Sequence, residues 1–542
     1  MSEIATAIAT YANQQAAKAV VDAIKTDTTS ILQKLGNVAA TVGTVRHARM
    51  KIESGAAKLY FADPFDAQID GLYTAFWAQT VIVRKNGSAP ADPTDGTVVL
   101  TNTTRDAYLE TPFVDDNYTD GDVYRAFCYS TNGAFNSSTY GIFKSYNLFG
   151  IAIDETDSNP ATMCHYVGDC ADYARAFMDF ANDRWEWGGW QGAFFIPRPC
   201  MLKTDGTVDY YLDPNDYTKK ADGTASDVAD TAYDGNAMME WSPVFMKVEP
   251  HGDMGYTVWF CDEKIDPDFE CYSGLKADGT YGKWYTAIYE GSVVSSKLRS
   301  ISTGALPNCQ TNAATELTYA RNVGVDYTPM RWADEMLITY LGVLITGTTD
   351  FQTSICGAFT TATSRQIKCG TCDAKGLFYG RDDGGIVDGS YVGNKMFGME
   401  NKFGHLWCRV VGATLVENAL YVKMTKHTLD GSTALDFQTS DTATNYTSGY
   451  IATGHTAPYA NGAYIKGVGK TGKTLGFFGV VTGASSSAFY CDAAWSSAGV
   501  RGVLLGGALN RGLLAGRFAC YANAAPSSSD WPYSASLSYR PF

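Results

Sequence analysis

Few residues in this sequence of 542 have the types and spacing that chemistry requires. Cys369-Gly-Thr-Cys372 has the spacing of half a tetrahedral zinc site, but neither a second such pair nor a nearby pair of histidines supplies the other ligands. A redox role would need a thioredoxin-like βαβ pattern, which is absent. We therefore expect two thiols in a strand or turn, and no metal ion.

The segment Gly467-Val-Gly-Lys-Thr-Gly-Lys-Thr474 matches the spacing of a phosphate-binding loop, in which Lys473 would hold phosphates and Thr474 a magnesium ion. Such a loop requires a helix to begin there. The next residues, 475–481, contain two glycines and several aromatic or β-branched side chains, which are typical of a strand. The pattern favours an exposed hairpin, and nucleotide hydrolysis remains a weaker alternative.

No other pattern points to catalysis. The six histidines are widely separated, and the sequence contains neither HExxH nor GxSxG. Cys164 and His165 are adjacent, so a strand would point them to opposite faces. The acidic turns at 213–216 and 382–384 lack the alternating ligands of an EF-hand, and the sugar-binding tripeptides of calcium-dependent lectins are absent. We expect no cofactor and no enzymatic activity.

The charge and hydropathy of the sequence disfavour nucleic acid and membranes as partners. The balance of 42 basic and 57 acidic residues gives a net charge of −15, which disfavours binding to nucleic acid or anionic lipid. The sequence contains no run of eighteen apolar residues, which is the length that would predict membrane insertion. Its N-terminus does not resemble a signal peptide. The thirteen cysteines are scattered, which predicts mostly reduced, buried thiols.

The elements that must position any site fall into three predicted domains. Residues 1–47 are predicted to form an α-helical oligomerisation segment, because six positions alternate at steps of three and four: Val21, Ile24, Thr28, Ile31, Leu35 and Val38. A single amphipathic helix lying on its own body is the alternative. Residues 48–150 contain alternating runs such as 77–83 and 123–129, which predict an all-β, immunoglobulin-like or fibronectin-III-like sandwich serving as a spacer.

Residues 151–542 are predicted to form one large α+β domain, with a helix at Met330–Leu341. Its C-terminal end has an unusual composition, since every Lys, Glu, Gln and Met of the chain lies at or before Lys473.

Two motifs in this domain carry a family resemblance. The C-terminal one consists of Gly506-Gly507, Ala515-Gly516, Phe518, Ala525-Pro526-Ser527, Trp531 and Leu537-Ser538-Tyr539. It resembles the end of the variable proteins of diversity-generating retroelements, although Ala524 stands where that family has Asn. The second motif, Phe397–Trp407, is similar to a segment of formylglycine-generating-enzyme-type C-type-lectin folds, with His405 replacing the usual Asn.

The resemblance implies a C-type-lectin fold for 151–542, with a variable region at about 490–535 that adenine-directed mutagenesis diversifies. The codons reached in this way encode no Lys, Glu, Gln, Met or Trp, so Trp495 and Trp531 belong to the fixed frame. The implied ligand-binding positions lie between frame residues: Ala493, Ala494, Ala508, Leu509, Arg511, Leu514, Arg517, Ala519, Tyr521, Asn523, Ala524, Ser528, Asp530, Pro532 and Tyr533.

The expected function is therefore non-enzymatic receptor binding at a phage tail tip. The chain would act as a homotrimer in the virion and bind a host cell-surface protein or glycan, with rigid presentation limiting the entropy lost on binding. The alternative is an oxidase or modifying enzyme of the formylglycine-generating type. It would need a paired reactive cysteine site, for which Cys356 and Cys408 are conceivable members.

Overall fold

The structure, a computed structural model, describes residues 41–69, 72–137, 140–276, 278–308, 310–355, 366–381, 386–387, 390–424, 450–458, 460–470 and 478–540. The chain divides into two compact units, an N-terminal unit of residues 1–146 and a C-terminal unit of residues 147–542.

The N-terminal unit is built from antiparallel strands. They are β1 (Arg46–Glu53), β2 (Ala56–Ala62), β3 (Ala67–Ile69), β4 (Leu72–Ala75), β5 (Trp77–Asn86), β6 (Thr97–Asn102), β7 (Phe113–Asp115) and β8 (Asp122–Ser130). Two three-stranded sheets, β1-β2-β7 and β6-β5-β8, share one apolar core, and β3-β4 is a separate hairpin. The strands predicted at 77–83 and 123–129 are confirmed, because β5 and β8 contain them and pair with each other.

The first part of the C-terminal unit forms a four-stranded sheet, β10-β9-β18-β17, and most of a seven-stranded sheet, β15-β14-β13-β16-β19-β36-β22, in which β36 (Leu537–Tyr539) is the last strand of the chain. Its strands are β9 (Leu148–Asp154), β10 (Cys164–Gly168), β11 (Phe177–Asp179), β12 (Arg184–Glu186), β13 (Arg198–Lys203), β14 (Val208–Asp213), β15 (Asp216–Lys220), β16 (Gly235–Trp241), β17 (Phe245–Pro250), β18 (Gly255–Cys261), β19 (Trp284–Ala287), β20 (Ser292–Val294), β21 (Lys297–Arg299) and β22 (Tyr327–Pro329).

The second part forms a nine-stranded sheet in the order β29-β28-β27-β33-β34-β32-β30-β31, with β35 added beside β27. Its strands, together with short hairpins, are β23 (Ile386–Val387), β24 (Ser390–Tyr391), β25 (Lys395–Met396), β26 (Met399–Glu400), β27 (Trp407–Val416), β28 (Ala419–Val422), β29 (Ile451–Thr456), β30 (Ala460–Val468), β31 (Gly479–Thr482), β32 (Ala493–Ser496), β33 (Val500–Leu505), β34 (Cys520–Ala522) and β35 (Tyr533–Ser534). The last strand, β36 (Leu537–Tyr539), returns to the seven-stranded sheet.

Three α-helices occur in the described residues: α1 (Ala313–Arg321), α2 (Trp332–Thr346) and α3 (Phe351–Ser354). Every residue of α2 is buried, and the helix ends where Gly347 adopts a left-handed conformation, with φ at 61°. The helix predicted at Met330–Leu341 is confirmed, although it continues to Thr346. None of these helices is long and apolar enough to span a membrane.

The predicted fold class is wrong. The described chain is mostly β, so the combination of an N-terminal helical segment, an immunoglobulin-like sandwich and an α+β C-type-lectin fold does not describe it. Residues 1–40 of the predicted helical segment lie outside the described residues, and residues 46 and 47 belong to strand β1. Beyond residue 154, alternating aromatic and β-branched side chains favour extended sheets over helices.

Candidate functional site

The two segments that carry the family resemblance lie side by side. The Gly404 N–H donates to the carbonyl oxygen of Gly506 over 2.8 Å, and the Trp407 N–H donates to that of Pro532 over 2.7 Å. Residues 397–407 therefore flank the C-terminal motif directly, and the two motifs form one site.

Glycine is required at two turns of this site for steric reasons. A Cβ on Gly507, whose φ is +78°, would lie 2.3 Å from the Ala515 Cβ, and a Cβ on Gly516 would lie 2.0 Å from a carboxylate oxygen of Asp492. The Phe518 N–H donates to Asp492 over 2.7 Å. Burial raises the pKa of Asp492 well above its ordinary value. These glycines let two loops approach more closely than any other residue would allow.

The strands of the nine-stranded sheet divide their side chains between two faces, because successive residues of a strand point in opposite directions. We define the core face by the residues that join the main apolar core: Ala494, Val503, Leu505, Phe518, Cys520 and Ala522. We define the outer face by a separate cluster: Trp407, Ala493, Trp495, Leu504, Ala508, Ala519, Ala524 and Tyr533, with Tyr464, Leu514 and Tyr521 packed against them.

The strand register explains how the outer face forms. Arg409 lies opposite Leu504, Leu504 opposite Tyr521, and Tyr521 beside Trp495 in a parallel pairing. Trp495 in turn lies opposite Asn461. One row of side chains therefore crosses five strands, which come from distant parts of the chain.

Aromatic rings dominate the outer face. The Trp407 ring centroid lies 5.5 Å from that of Trp495 and 5.4 Å from that of Tyr521, which in turn lies 6.0 Å from that of Tyr533. The guanidinium of Arg511 lies 5.0 Å from the centre of the Trp495 ring, within reach of a cation–π attraction. Trp407, Trp495 and Tyr533 are buried, whereas Tyr521 and Arg511 are half-buried.

Several buried polar atoms near these rings have no hydrogen-bond partner among the described residues. They are the Trp407 Nε1, the Ser534 Oγ, the Asn523 Oδ1 and the Arg511 Nε. Leaving a buried polar group unsatisfied costs about 1–3 kcal/mol.

The fifteen candidate positions do not share one exposed surface. Nine are buried: Ala493, Ala494, Ala508, Leu509, Arg517, Ala519, Ala524, Pro532 and Tyr533. Six are half-buried or exposed: Arg511, Leu514, Tyr521, Asn523, Ser528 and Asp530. We call these six the rim. The expected outward exposure is wrong for the nine. Four alanines of the nine pack in one cluster with the large rings, Ala494 joins the main core, and Arg517 pairs with a buried carboxylate. A ligand-binding role for any of the fifteen stays a prediction.

Arg517 is the clearest departure from the expected exposure. Its guanidinium pairs with Glu335 of helix α2 at 2.5 Å and donates to Thr339 Oγ1 and to the Lys402 carbonyl oxygen, both at 2.8 Å. Lys402 pairs with the same carboxylate at 2.5 Å. Burial alone would raise the pKa of Glu335, but the two cations lower it to about 2. Arg517 therefore holds α2 against the C-terminal motif.

Trp407 and Arg409 are the residues that the sequence reasoning missed. Trp407 closes the second motif, and its place on the outer face follows from strand alternation. The Arg409 guanidinium pairs with buried Glu316 at 2.8 Å and lies 5.6 Å from the Tyr533 ring. That pairing joins residues 93 positions apart, so no local pattern indicated it.

His405, the residue that replaces Asn in the second motif, is fully buried. Its Nε2 accepts the Ile367 N–H over 2.7 Å, and its Nδ1 hydrogen-bonds with the Glu290 carboxylate. Both ring nitrogens are used within the protein, so His405 acts as a structural link.

The cysteine pair is also held by the fold. The Cys369 thiol donates to the Glu290 carbonyl oxygen over 3.3 Å, and the Cys372 thiol donates to that of Gly393 over 3.1 Å. The Glu400 carboxylate accepts the Cys372 N–H over 2.7 Å. Burial raises the pKa of both thiols. Among the described residues, no three His, Cys, Asp or Glu side chains are placed to hold a metal ion.

Cys408, a conceivable member of an oxidase site, is half-buried. Burial raises the pKa of its thiol to about 12, whereas nucleophilic chemistry needs the thiolate. Cys356 lies outside the described residues. Nothing in the geometry around Cys408 favours the enzymatic alternative.

The phosphate-loop match begins at the end of β30, and β31 pairs with β30 as an antiparallel strand. The strand predicted at 475–481 is therefore confirmed for residues 479–481, while residues 475–477 lie outside the described residues. The Val468 N–H donates to the Glu155 carboxylate over 3.1 Å, and Lys470 pairs with the same carboxylate. These donors are therefore used internally. Lys473 and Thr474 lie outside the described residues.

No protein-family model matches the sequence, and no curated protein matches it. The site is therefore judged on its geometry.

Proposed function

We propose that the chain is a non-enzymatic binding protein of the diversity-generating retroelement type, which recognises a host cell-surface protein or glycan from the tail of a phage. One observation carries the proposal: of the candidate variable residues that are assigned to a face of the sheet, all but Ala494 share the outer face, where the fixed Trp495 also lies. Phe518 belongs to the core face, and seven candidates belong to the outer face.

Two further features support it. The two motifs of the resemblance lie in contact, through the backbone hydrogen bonds of Gly404 and Trp407. The residues after Lys473 also contain no Lys, Glu, Gln or Met, and codon diversification would account for that absence at the variable positions. These features are independent, because one is geometric and the other compositional.

The rim would make the direct contacts. Arg511 and Tyr521 lie against the rings of Trp495 and Trp407, which hold them in place. A partner would meet half-buried Tyr521 and Arg511, and the exposed carboxylate of Asp530. Tyr, Trp and Arg dominate binding energy at protein interfaces, and pre-organised side chains lose little entropy. Changes at the rim would then alter specificity without disturbing the core face.

The proposal includes assembly as a homotrimer in the virion. Three copies on one particle would convert weak single-site binding into strong attachment, because the second and third contacts form at high effective concentration.

The decisive experiment is to sequence the DNA around the gene. We expect a near-copy of the segment encoding residues 490–535 beside a reverse-transcriptase gene, differing from it chiefly at adenines. The differences should fall in the rim codons and spare those of Gly507, Gly516 and Phe518. Absence of such a copy, or differences spread evenly over frame codons, would overturn the proposal.

A further inference from the structure

The N-terminal unit carries a second surface of unusual character. Among the described residues, four aromatic side chains are exposed, and three of them belong to the segment 65–76: Phe65 at 60%, Tyr73 at 55% and Phe76 at 49%. The Tyr73 and Phe76 rings stack at 5.3 Å. An exposed aromatic cluster of this kind is unfavourable in water and marks an interaction site.

Charged side chains tie this cluster together. The Asp66 carboxylate accepts the Trp77 N–H over 2.8 Å and pairs with Arg105 at 2.7 Å. Arg105 also lies 5.1 Å from the centre of the Trp77 ring, and the Arg46 guanidinium lies 3.9 Å from that of Phe65. We call Phe65, Tyr73, Phe76 and Trp77, with these paired charges around them, the entry patch.

The entry patch lies beside the first described residues of the chain. The Val42 N–H donates to the Ser130 Oγ over 2.8 Å, and Ser130 pairs with Trp77 across strands β5 and β8. The Thr131 N–H donates to the carbonyl oxygen of Phe76 over 2.9 Å. The chain therefore enters beside the exposed rings, and the spaced apolar positions at 21–38 precede that point directly.

We propose that the entry patch is a contact between copies of this chain. Each copy carries a net charge of −15, so two copies repel at long range, although salt screens this beyond about 8 Å. A contact between copies therefore needs apolar area and locally balanced charge. The entry patch supplies both, because Arg46 pairs with Asp106 and Arg105 with Asp66 at its margin.

The size of the entry patch limits how strongly it can hold two copies together. Stable interfaces bury about 1,200–2,000 Å² in total, which is more than three exposed rings provide. The entry patch therefore strengthens an assembly that other contacts also hold. The inference rests on the assembly that the proposed function includes, and it does not depend on what the rim binds.

The test is sedimentation equilibrium of the full chain over a range of concentrations. The patch variant is Phe65→Ser, Tyr73→Ser and Phe76→Ser. Its matched control replaces three exposed aliphatic residues of the same unit: Ile52→Thr, Val98→Thr and Val114→Thr. We expect the wild type to self-associate, the patch variant to raise the dissociation constant about tenfold or more, and the control to leave it within about twofold.

A single change, Tyr73→Glu, is a second variant in case the triple variant misfolds. A charged side chain at an exposed position leaves the fold intact. If the patch lies between copies, however, the added carboxylates would repel each other across the contact. Tyr73→Glu should weaken association in the same direction without lowering the melting temperature. A wild type that stays monomeric at every concentration would overturn the proposal. Equal dissociation constants for the patch variants and the control would overturn it as well.

Discussion

The two faces of the nine-stranded sheet are built from neighbouring residues but meet different demands. Phe518 on the core face packs against the rings of Tyr490, Phe351 and Tyr340, with centroids 4.8, 6.2 and 6.3 Å away. Tyr521, three residues later on the outer face, is half-buried. Within β34, the neighbours Cys520 and Tyr521 lie on the core face and the outer face, so a one-residue alternation is enough to separate side chains of different burial.

The largest expected effect is on the core face. Phe518→Ala should lower the free energy of unfolding by about 3–5 kcal/mol, because it leaves a cavity among packed rings. Tyr521→Ala, its outer-face control, should lower it by about 1 kcal/mol. Urea unfolding followed by near-UV circular dichroism measures both, and equal losses would contradict the division into faces.

The next largest effect is a difference in stability between alanine variants of Arg517 and Arg511. Arg517→Ala removes one of two cations paired with buried Glu335 and should destabilise the protein by about 2–4 kcal/mol. Arg511→Ala, which removes a half-buried cation beside Trp495, should cost about 0.5 kcal/mol. The same unfolding assay compares them. If Arg511→Ala lowered the free energy of unfolding more than Arg517→Ala, the assignment of Arg517 as the arginine that stabilises the fold would be wrong.

Acid should weaken the same ion pairs. The pKa of Glu335 is lowered in the folded protein to about 2 from an ordinary 4.5. Its contribution to stability is therefore complete above about pH 4.5 and is lost as the pH falls towards 2. At about 1.4 kcal/mol per pKa unit, the loss is about 3 kcal/mol. Unfolding curves from pH 6 to pH 2 should fall more steeply for the wild type than for Glu335→Gln, whereas parallel curves would refute the assignment.

The smallest of these stability effects concerns the close approach of the Gly516 backbone to the Asp492 carboxylate. Gly516→Ala should destabilise the protein by about 2 kcal/mol, since the added Cβ would lie 2.0 Å from Asp492. Gly502→Ala is the matched control in strand β33, where the nearest atom is the Arg409 Nη1 at 3.4 Å. It should change the melting temperature by no more than about 2 °C. Similar changes in melting temperature for Gly516→Ala and Gly502→Ala would mean that the close approach to Asp492 does not require glycine.

Local patterns predicted local structure well. The apolar run at Met330–Leu341 lies in helix α2, and the alternating runs at 77–83 and 123–129 lie in strands β5 and β8. Both follow from the spacing of apolar residues within one element. The overall class could not be inferred in the same way, because it depends on which strands pair across hundreds of residues.

The exposure of the candidate site was harder to predict for the same reason. Arg517 stands between frame residues, so its neighbours in sequence suggest an outward side chain. Its partner, Glu335, is 182 positions away. Ala519 is buried because Trp407 and the other outer-face rings cover it. Burial of a small residue depends on the size of its spatial neighbours, which the sequence order does not reveal.

The most direct test of the account is to replace all six rim residues at once with another set allowed by diversified codons. Flow cytometry of the labelled full chain on intact cells of many bacterial strains would record which strains are bound. The account predicts that the set of bound strains changes while the melting temperature moves by no more than about 4 °C. An unchanged set of bound strains, or unfolding of the variant, would contradict the claim that the rim selects the partner while the core face holds the fold.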